Sequence, residues 1–166
     1  MKRLIRFAKE INIFTPLCFF VLTIAIFVLM KPLFMLYNGL VERGFSLFDV
    51  GEVLSSGLPL DFATAGYFVI LVWLFALIGS WIRIPACRTL HLLYIGLVSV
   101  LLALIFVADC CLYTFWDFKI DATIFNYLDT PEGITSSVSV LYLVVAFVVT
   151  LVFALLFFFV LRCSLP

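Results

Sequence analysis

The stretch VSVLYLVVAFVVTLVFALLFFFVL, from Val138 to Leu161, contains 24 consecutive residues without an Asp, Glu, Lys or Arg. A helix needs about 20 mostly apolar residues to cross the hydrocarbon core of a bilayer, so this stretch is long enough to do so. A strand of a membrane barrel would alternate apolar and polar residues, and this stretch does not. It therefore predicts a transmembrane helix.

Three further stretches lack charged residues over a similar length: Ile11 to Met30, Phe62 to Ile82 and Thr89 to Ala108. Lipid offers the backbone no hydrogen-bond partners, so spans of this kind are helical. We predict an all-α, polytopic membrane protein that forms a single transmembrane domain over residues 1–166, with four transmembrane helices at about 11–36, 62–82, 89–114 and 134–161.

The composition leads to the same class. Of the 166 residues, 66% are hydrophobic and 12% charged, and the mean hydropathy is +1.32. A soluble domain has about 45–50% apolar and about 25% charged residues. An ordinary globular enzyme and a disordered tail are excluded, and so is a nucleic-acid binder, which needs a basic face. The partner that this composition requires is the lipid bilayer.

The positive charges give the orientation, because Lys and Arg are enriched on the cytoplasmic side of membrane proteins. Seven of the ten lie on the side of the two chain ends: Lys2, Arg3, Arg6, Lys9, Arg83, Arg88 and Arg162. Nine of the ten acids lie on or near the opposite side. We predict that both chain ends are inside, so the first and third connections are outer loops.

Each outer loop is predicted to contain a short interfacial helix. In the first, Ser46-Leu-Phe-Asp49 matches a capping box, and Leu47, Val50 and Leu54 share one helical face. This pattern predicts a helix bounded by Gly44 and by Gly57-Leu58-Pro59; a loop packed against the bundle is the alternative.

In the second outer loop, Asp121 is a candidate N-cap for a short helix. Thr130-Pro131-Glu132 then fits the N-cap, first position and acidic first turn of the fourth transmembrane helix. Proline is tolerated there because its missing N–H would be unpaired in any helix.

No catalytic motif or metal-ligand cluster is found in the sequence. His91 is the sole histidine, and the five cysteines show neither C-x-x-C spacing nor a disulfide framework. His91 lies one turn from the inner end of the third span, and we interpret it as a residue whose polar tip reaches the headgroups rather than as a proton carrier. We predict no catalytic residue, metal site or cofactor within this chain.

The candidate functional residues lie at the outer ends of the spans. Asp109 follows twenty apolar residues, and Tyr113, Trp116 and Asp117 continue an acidic and aromatic stripe after it. An acid within a span suggests a function, whereas an acid at its wet edge, followed by aromatic belt residues, does not; both interpretations fit. Asp61 and Lys31 lie at the same depth, so Lys31 can form an ion pair with Asp61 or with Asp109.

The third span and the loop after it carry a longer pattern. Asp109-Cys-Cys-Leu-Tyr113-Thr-Phe-Trp116, continuing through Asp121 to Tyr127 and Pro131-Glu132, resembles the D-x-x-L-Y-x-x-W pattern of the lipoteichoic acid synthase-like, sulfatase-superfamily membrane proteins of bacteria. Gly57-Leu-Pro-Leu-Asp61-Phe-Ala-Thr-Ala-Gly66-Tyr67 also resembles the entry of that family to its second span. Asp117 departs from the pattern, because the family usually has glycine there.

The resemblance implies that this chain is the N-terminal membrane anchor of a longer enzyme of the bacterial cytoplasmic membrane. A fifth span and an extracytoplasmic domain would follow, and that domain would use a threonine nucleophile and a divalent metal, often manganese, in phosphoglycerol-type transfer or sulfatase-type hydrolysis. The expected partners are that catalytic domain and an anionic lipid headgroup. The outer-face residues expected to contact them are Asp109, Tyr113, Trp116, Asp121, Asp61 and Lys31. The alternative is a self-contained four-span protein that acts as a transporter subunit or an assembly factor.

Overall fold

The computed structural model describes residues 14–42, 46–81, 86–116 and 139–165. These ranges form four α-helices: α1 (Phe14–Glu42), α2 (Leu47–Trp81), α3 (Ala86–Trp116) and α4 (Val140–Arg162). Each contains a window long and apolar enough to cross a membrane. The chain is thus an all-α, four-span, multi-pass membrane protein. Four crossings place both chain ends on one side, and we call the other side, where the α1–α2 connection lies, the outer side.

The start of α2 confirms the predicted capping box. The Phe48 N–H donates to Ser46 Oγ at 3.2 Å, and the Ser46 N–H donates to Asp49 Oδ2 at 2.8 Å. The two side chains thereby pair backbone groups that the first helical turn leaves without an intrahelical partner. The helix that begins here is therefore fixed by two side chains that the sequence already identified.

The predicted end of this short helix at Gly57-Leu58-Pro59 is wrong, because α2 runs from Leu47 to Trp81 without interruption. A proline in a helix interior costs about 3 kcal/mol, mainly through one lost hydrogen bond and a clash with the preceding turn. Packing of α2 along α1 offsets this cost. α1 likewise continues through Pro32 to Glu42, six residues beyond its predicted end at 36.

The fourth helix begins later than predicted. Its N-cap is Ser139, whose Oγ accepts a 3.3 Å hydrogen bond from the Tyr142 N–H, so the first helical residue is Val140 rather than 134. Thr130 is therefore not the N-cap of α4. Thr130-Pro131-Glu132 and the short helix predicted from Asp121 lie outside the described residues.

The helices associate as two antiparallel pairs, because α1 packs most extensively on α2, and α3 on α4. A common core joins the pairs and includes residues from all four helices, among them Phe19, Val72, Ile95 and Phe157. Thr23 is buried in the same region, where its hydroxyl donates to the Phe19 carbonyl of its own helix at 2.8 Å. This arrangement fills the inner half of the bundle.

Many large apolar side chains point away from this core. On α4 the exposed set includes Leu141, Phe147, Val152 and Phe159. Water would make such a surface unstable, whereas lipid solvates it without cost. The outward faces of the helices are therefore the surface that the bilayer covers.

His91 does not reach the headgroups as predicted. Its side chain is 6% exposed on α3, and its ring centroid lies 6.2 Å from that of Phe75 on α2. α2 continues past this level to Trp81, and its Phe75 lies beside the imidazole. Within the described part of the chain, the Nε2 atom of His91 is buried without a hydrogen-bond partner.

Replacing His91 with leucine should leave stability unchanged or raise it by about 1–2 kcal/mol, because the apolar side chain removes an unsatisfied buried polar atom. His91→Ala should destabilise instead, since it leaves a cavity against Phe75. Thermal unfolding of the purified protein in detergent measures both. Equal losses in the two variants would contradict the prediction and indicate a polar partner for Nε2.

Candidate functional site

The α1–α2 ion pair is formed by Lys31 and Asp61. The Lys31 ammonium donates to Asp61 Oδ2. The side chains are 17% and 9% exposed, respectively, so both charges are largely removed from the surface. Of the two pairings that the sequence allowed for Lys31, the described residues therefore show the one with Asp61.

Gly57 makes this contact sterically feasible. It lies one turn before Asp61 on α2, and the Lys31 side chain passes over it. A Cβ atom at Gly57 would come within 2.5 Å of Lys31 Nζ and 2.8 Å of Lys31 Cε, which is closer than carbon atoms approach. A glycine here lets the lysine lie against the backbone of α2 and reach the carboxylate.

Pairing lowers the free-energy cost that either charge alone would bring to the membrane-spanning bundle. An isolated charge inside a span is costly, and pairing with an opposite charge is the usual way to reduce that cost. Lys31 and Asp61 each stand immediately outside a long charge-free stretch, Phe14 to Met30 and Phe62 to Trp81. The pair therefore lies at the outer boundary of the apolar region and joins α1 to α2 there.

The neighbouring turn of α1 contacts the third helix. Phe34 packs edge-on against Tyr113 of α3, with ring centroids 5.2 Å apart and an interplanar angle of 73°. Asp109 is half-buried one turn before Tyr113 on the same helix. Lys31 and Phe34 are themselves one turn apart, so a single turn of α1 meets Asp61 of α2 and Tyr113 of α3.

The structure gives less information about the two remaining candidate residues, Trp116 and Asp121. Trp116 is the last residue of α3, but its side chain lies outside the described part of the structure. Asp121 lies outside the described residues altogether. Within the residues that are described, no group of three or more His, Cys, Asp and Glu side chains could hold a metal ion.

Two features of this region were not predicted from the sequence. One is the role of Gly57, although a glycine one turn from an acid that faces a lysine was a usable signal. The other is a cavity of about 400 Å³ between α1, α3 and α4, whose outer end carries Tyr37, Cys111 and Tyr142. A cavity depends on how side chains from three helices fit together, and no local pattern in one helix reports that.

Comparisons of this chain with protein-family models, with curated proteins and with solved structures find no match in any of the three.

Proposed function

We propose that this chain is the membrane-anchoring region of a lipoteichoic acid synthase-like phosphoglycerol-type transferase or sulfatase in the bacterial cytoplasmic membrane. In this proposal the outer end of the bundle holds an extracytoplasmic catalytic domain at the membrane and presents an anionic lipid headgroup to it. In this proposal the threonine nucleophile and the divalent metal, manganese or a similar ion, belong to that domain.

The observation that carries the proposal is that the two family-like segments contact the same turn of α1. Gly57-Leu-Pro-Leu-Asp61 contributes the glycine under Lys31 and the carboxylate that binds it. The segment that begins at Asp109 contributes Tyr113, which packs on Phe34. Both segments thus contact one turn of α1, which favours a shared task at the outer face over two unrelated loop motifs.

The charges at this turn suit a phosphoglycerol headgroup. An ammonium group has three N–H donors, and Lys31 gives one of them to Asp61, so it can also donate to a phosphate oxygen. Asp109 is an acceptor for a glycerol hydroxyl. We propose these two contacts, with Tyr113 and Trp116 at the headgroup level, as the way in which the bundle presents its lipid.

The proposal predicts that substitutions at the outer face lower activity without lowering the amount of protein in the membrane. In the full-length protein, Asp109→Ala and Trp116→Ala should each reduce headgroup transfer. For Asp109, a lost hydrogen bond to a charged group is worth about 1.5–3 kcal/mol, which corresponds to roughly tenfold or more in rate. Transfer to a glycerol acceptor in isolated membranes measures this, and quantitative immunoblotting measures the membrane yield.

The matched control is Glu52→Ala, which removes an exposed acid from α2 away from the proposed contacts. It should leave transfer unchanged. Unaltered activity and yield in both outer-face variants would contradict the presentation role. A native protein with the 18.8 kDa mass of this chain would contradict the anchor role itself and favour a self-contained four-span protein.

A further inference from the structure

A cavity of about 400 Å³ lies between α1, α3 and α4. α1 contacts α4 much less than it contacts α2, so the two helices do not close the space between them. Leu33, Leu36 and Val145 form part of the cavity wall and are also exposed. The cavity therefore opens sideways onto the lipid-facing surface of the bundle, which the bilayer covers.

The walls of this cavity are almost entirely apolar, and the few polar groups lie at one end. Tyr37, Cys111 and Tyr142 lie at the outer end, where the Tyr142 hydroxyl faces the Cys111 thiol and the Tyr37 hydroxyl. Phe106, Val149 and Phe153 line the deeper part, and the rings of Phe106 and Phe153 pack edge-on with centroids 5.0 Å apart. Such a gradient fits an amphiphile whose hydrocarbon points towards the membrane centre.

The length of the cavity fits one leaflet. Tyr142 and Phe153 are eleven residues apart on α4, which corresponds to about 16 Å along the helix axis. The hydrocarbon core of a bilayer is about 30 Å thick, so one leaflet contributes about 15 Å. A groove that begins at the outer boundary and ends near the bilayer centre accepts one extended lipid chain.

We propose that this cavity is a binding site for one acyl chain of an outer-leaflet phospholipid. The chain lies between α1 and α4 against Phe106, Val149 and Phe153, and the ester region of the lipid lies beside Tyr37, Cys111 and Tyr142. A retained lipid of this kind completes the bundle by filling the seam between the two helix pairs. The site needs only the membrane-spanning helices, so it does not depend on the proposed catalytic domain.

Two adjacent valines provide a matched test. Val144 and Val145 are both 52% exposed, but Val145 lines the cavity whereas Val144 does not. Val145→Trp should fill the groove, while Val144→Trp adds the same side chain to the outward face of the same helix. Val149→Trp and Val148→Trp form a second such pair deeper along α4, in case the first cavity variant does not fold.

The measurement is native mass spectrometry of the delipidated protein in mild detergent, titrated with dioleoyl phosphatidylglycerol. The wild type and the Val144→Trp and Val148→Trp variants should each retain one lipid. The cavity variants should bind it about tenfold or more weakly, because the hydrocarbon can no longer be buried. Circular dichroism establishes that each variant keeps its helices.

Equal lipid retention in the cavity variants and their controls would overturn the proposal, because binding would then be independent of the groove. A wild type that retains no phosphatidylglycerol would overturn it as well. So would a wild-type dimer that dissociates only in Val145→Trp, since the groove would then be occupied by a second copy of the chain. None of these outcomes bears on the proposed anchor role, which is tested by headgroup transfer and by the mass of the native protein.

Discussion

Substituting either partner of the α1–α2 ion pair alone should destabilise the bundle by about 3–5 kcal/mol, the usual cost of leaving one member of a buried pair uncompensated. Lys31→Met leaves the Asp61 carboxylate in a site where it is largely shielded from water. Asp61→Leu leaves the Lys31 ammonium in the same position. Both should therefore loosen α1 from α2 at the outer boundary of the apolar region.

The double variant Lys31→Met, Asp61→Leu should recover most of this loss. Replacing a buried pair with apolar residues of similar size is often neutral or stabilising, because two desolvation costs disappear together. Denaturant titration in detergent micelles gives the four stabilities of the double-mutant cycle, and the interaction energy follows from their differences. Arg88→Met, which removes an exposed cation from α3, is the control and should have little effect.

The cycle also separates structural support from headgroup binding. Under the proposed anchor role, in which Lys31 also binds a lipid phosphate, the double variant should be stable and yet transfer headgroups more slowly, whereas an unchanged rate would mean that Lys31 serves α1–α2 packing alone. A double variant that is no more stable than the single variants would contradict the ion pair as a significant source of stability.

The four helices could be predicted from the sequence because the length of a charge-free stretch is enough to identify a transmembrane helix. Charge-free stretches of about 20 residues are long enough to cross the bilayer and rare in soluble chains, so the stretches that contain Ile26, Val72, Ile95 and Phe157 each identified a span. The same reasoning placed Lys31, Asp61 and Asp109 at one depth. It could not decide which acid Lys31 would bind, because depth constrains position along the membrane normal and leaves the order of the helices around the bundle open.

The helix ends were predicted less well, for a physical reason. Helix-breaking residues such as Gly57 and Pro59 act on the local backbone. The proline penalty of about 3 kcal/mol ends a helix only when no other contact keeps the chain helical. Here the packing of α2 along α1 does so, and the Lys31–Asp61 contact lies within that packing. At α4 the predicted cap was Thr130, and the cap that forms is Ser139, which was not predicted from the sequence.

Gly57→Val should be the most damaging substitution of a glycine in α2. A Cβ at this position would overlap Lys31 Nζ and Cε, so the end of this flexible side chain would have to shift. A shift that takes the ammonium away from Asp61 forfeits part of the about 3–5 kcal/mol that breaking a buried pair costs, whereas a shift that keeps the contact costs little. Gly51→Val and Gly66→Val are matched controls on the same helix, because a Cβ at either position meets nothing within 4 Å.

The dependence of this effect on Lys31 is the decisive part of the prediction. In a Lys31→Ala background the overlapping atoms are absent, so Gly57→Val should be neutral or stabilise by a few tenths of a kcal/mol, because valine is a better helix former than glycine. Denaturant titration of the two single variants and the double variant measures the coupling. Additive losses would show that valine at 57 acts through some other contact. A coupled loss would establish that this glycine is needed because a lysine from the neighbouring helix crosses it to reach an acid one turn away.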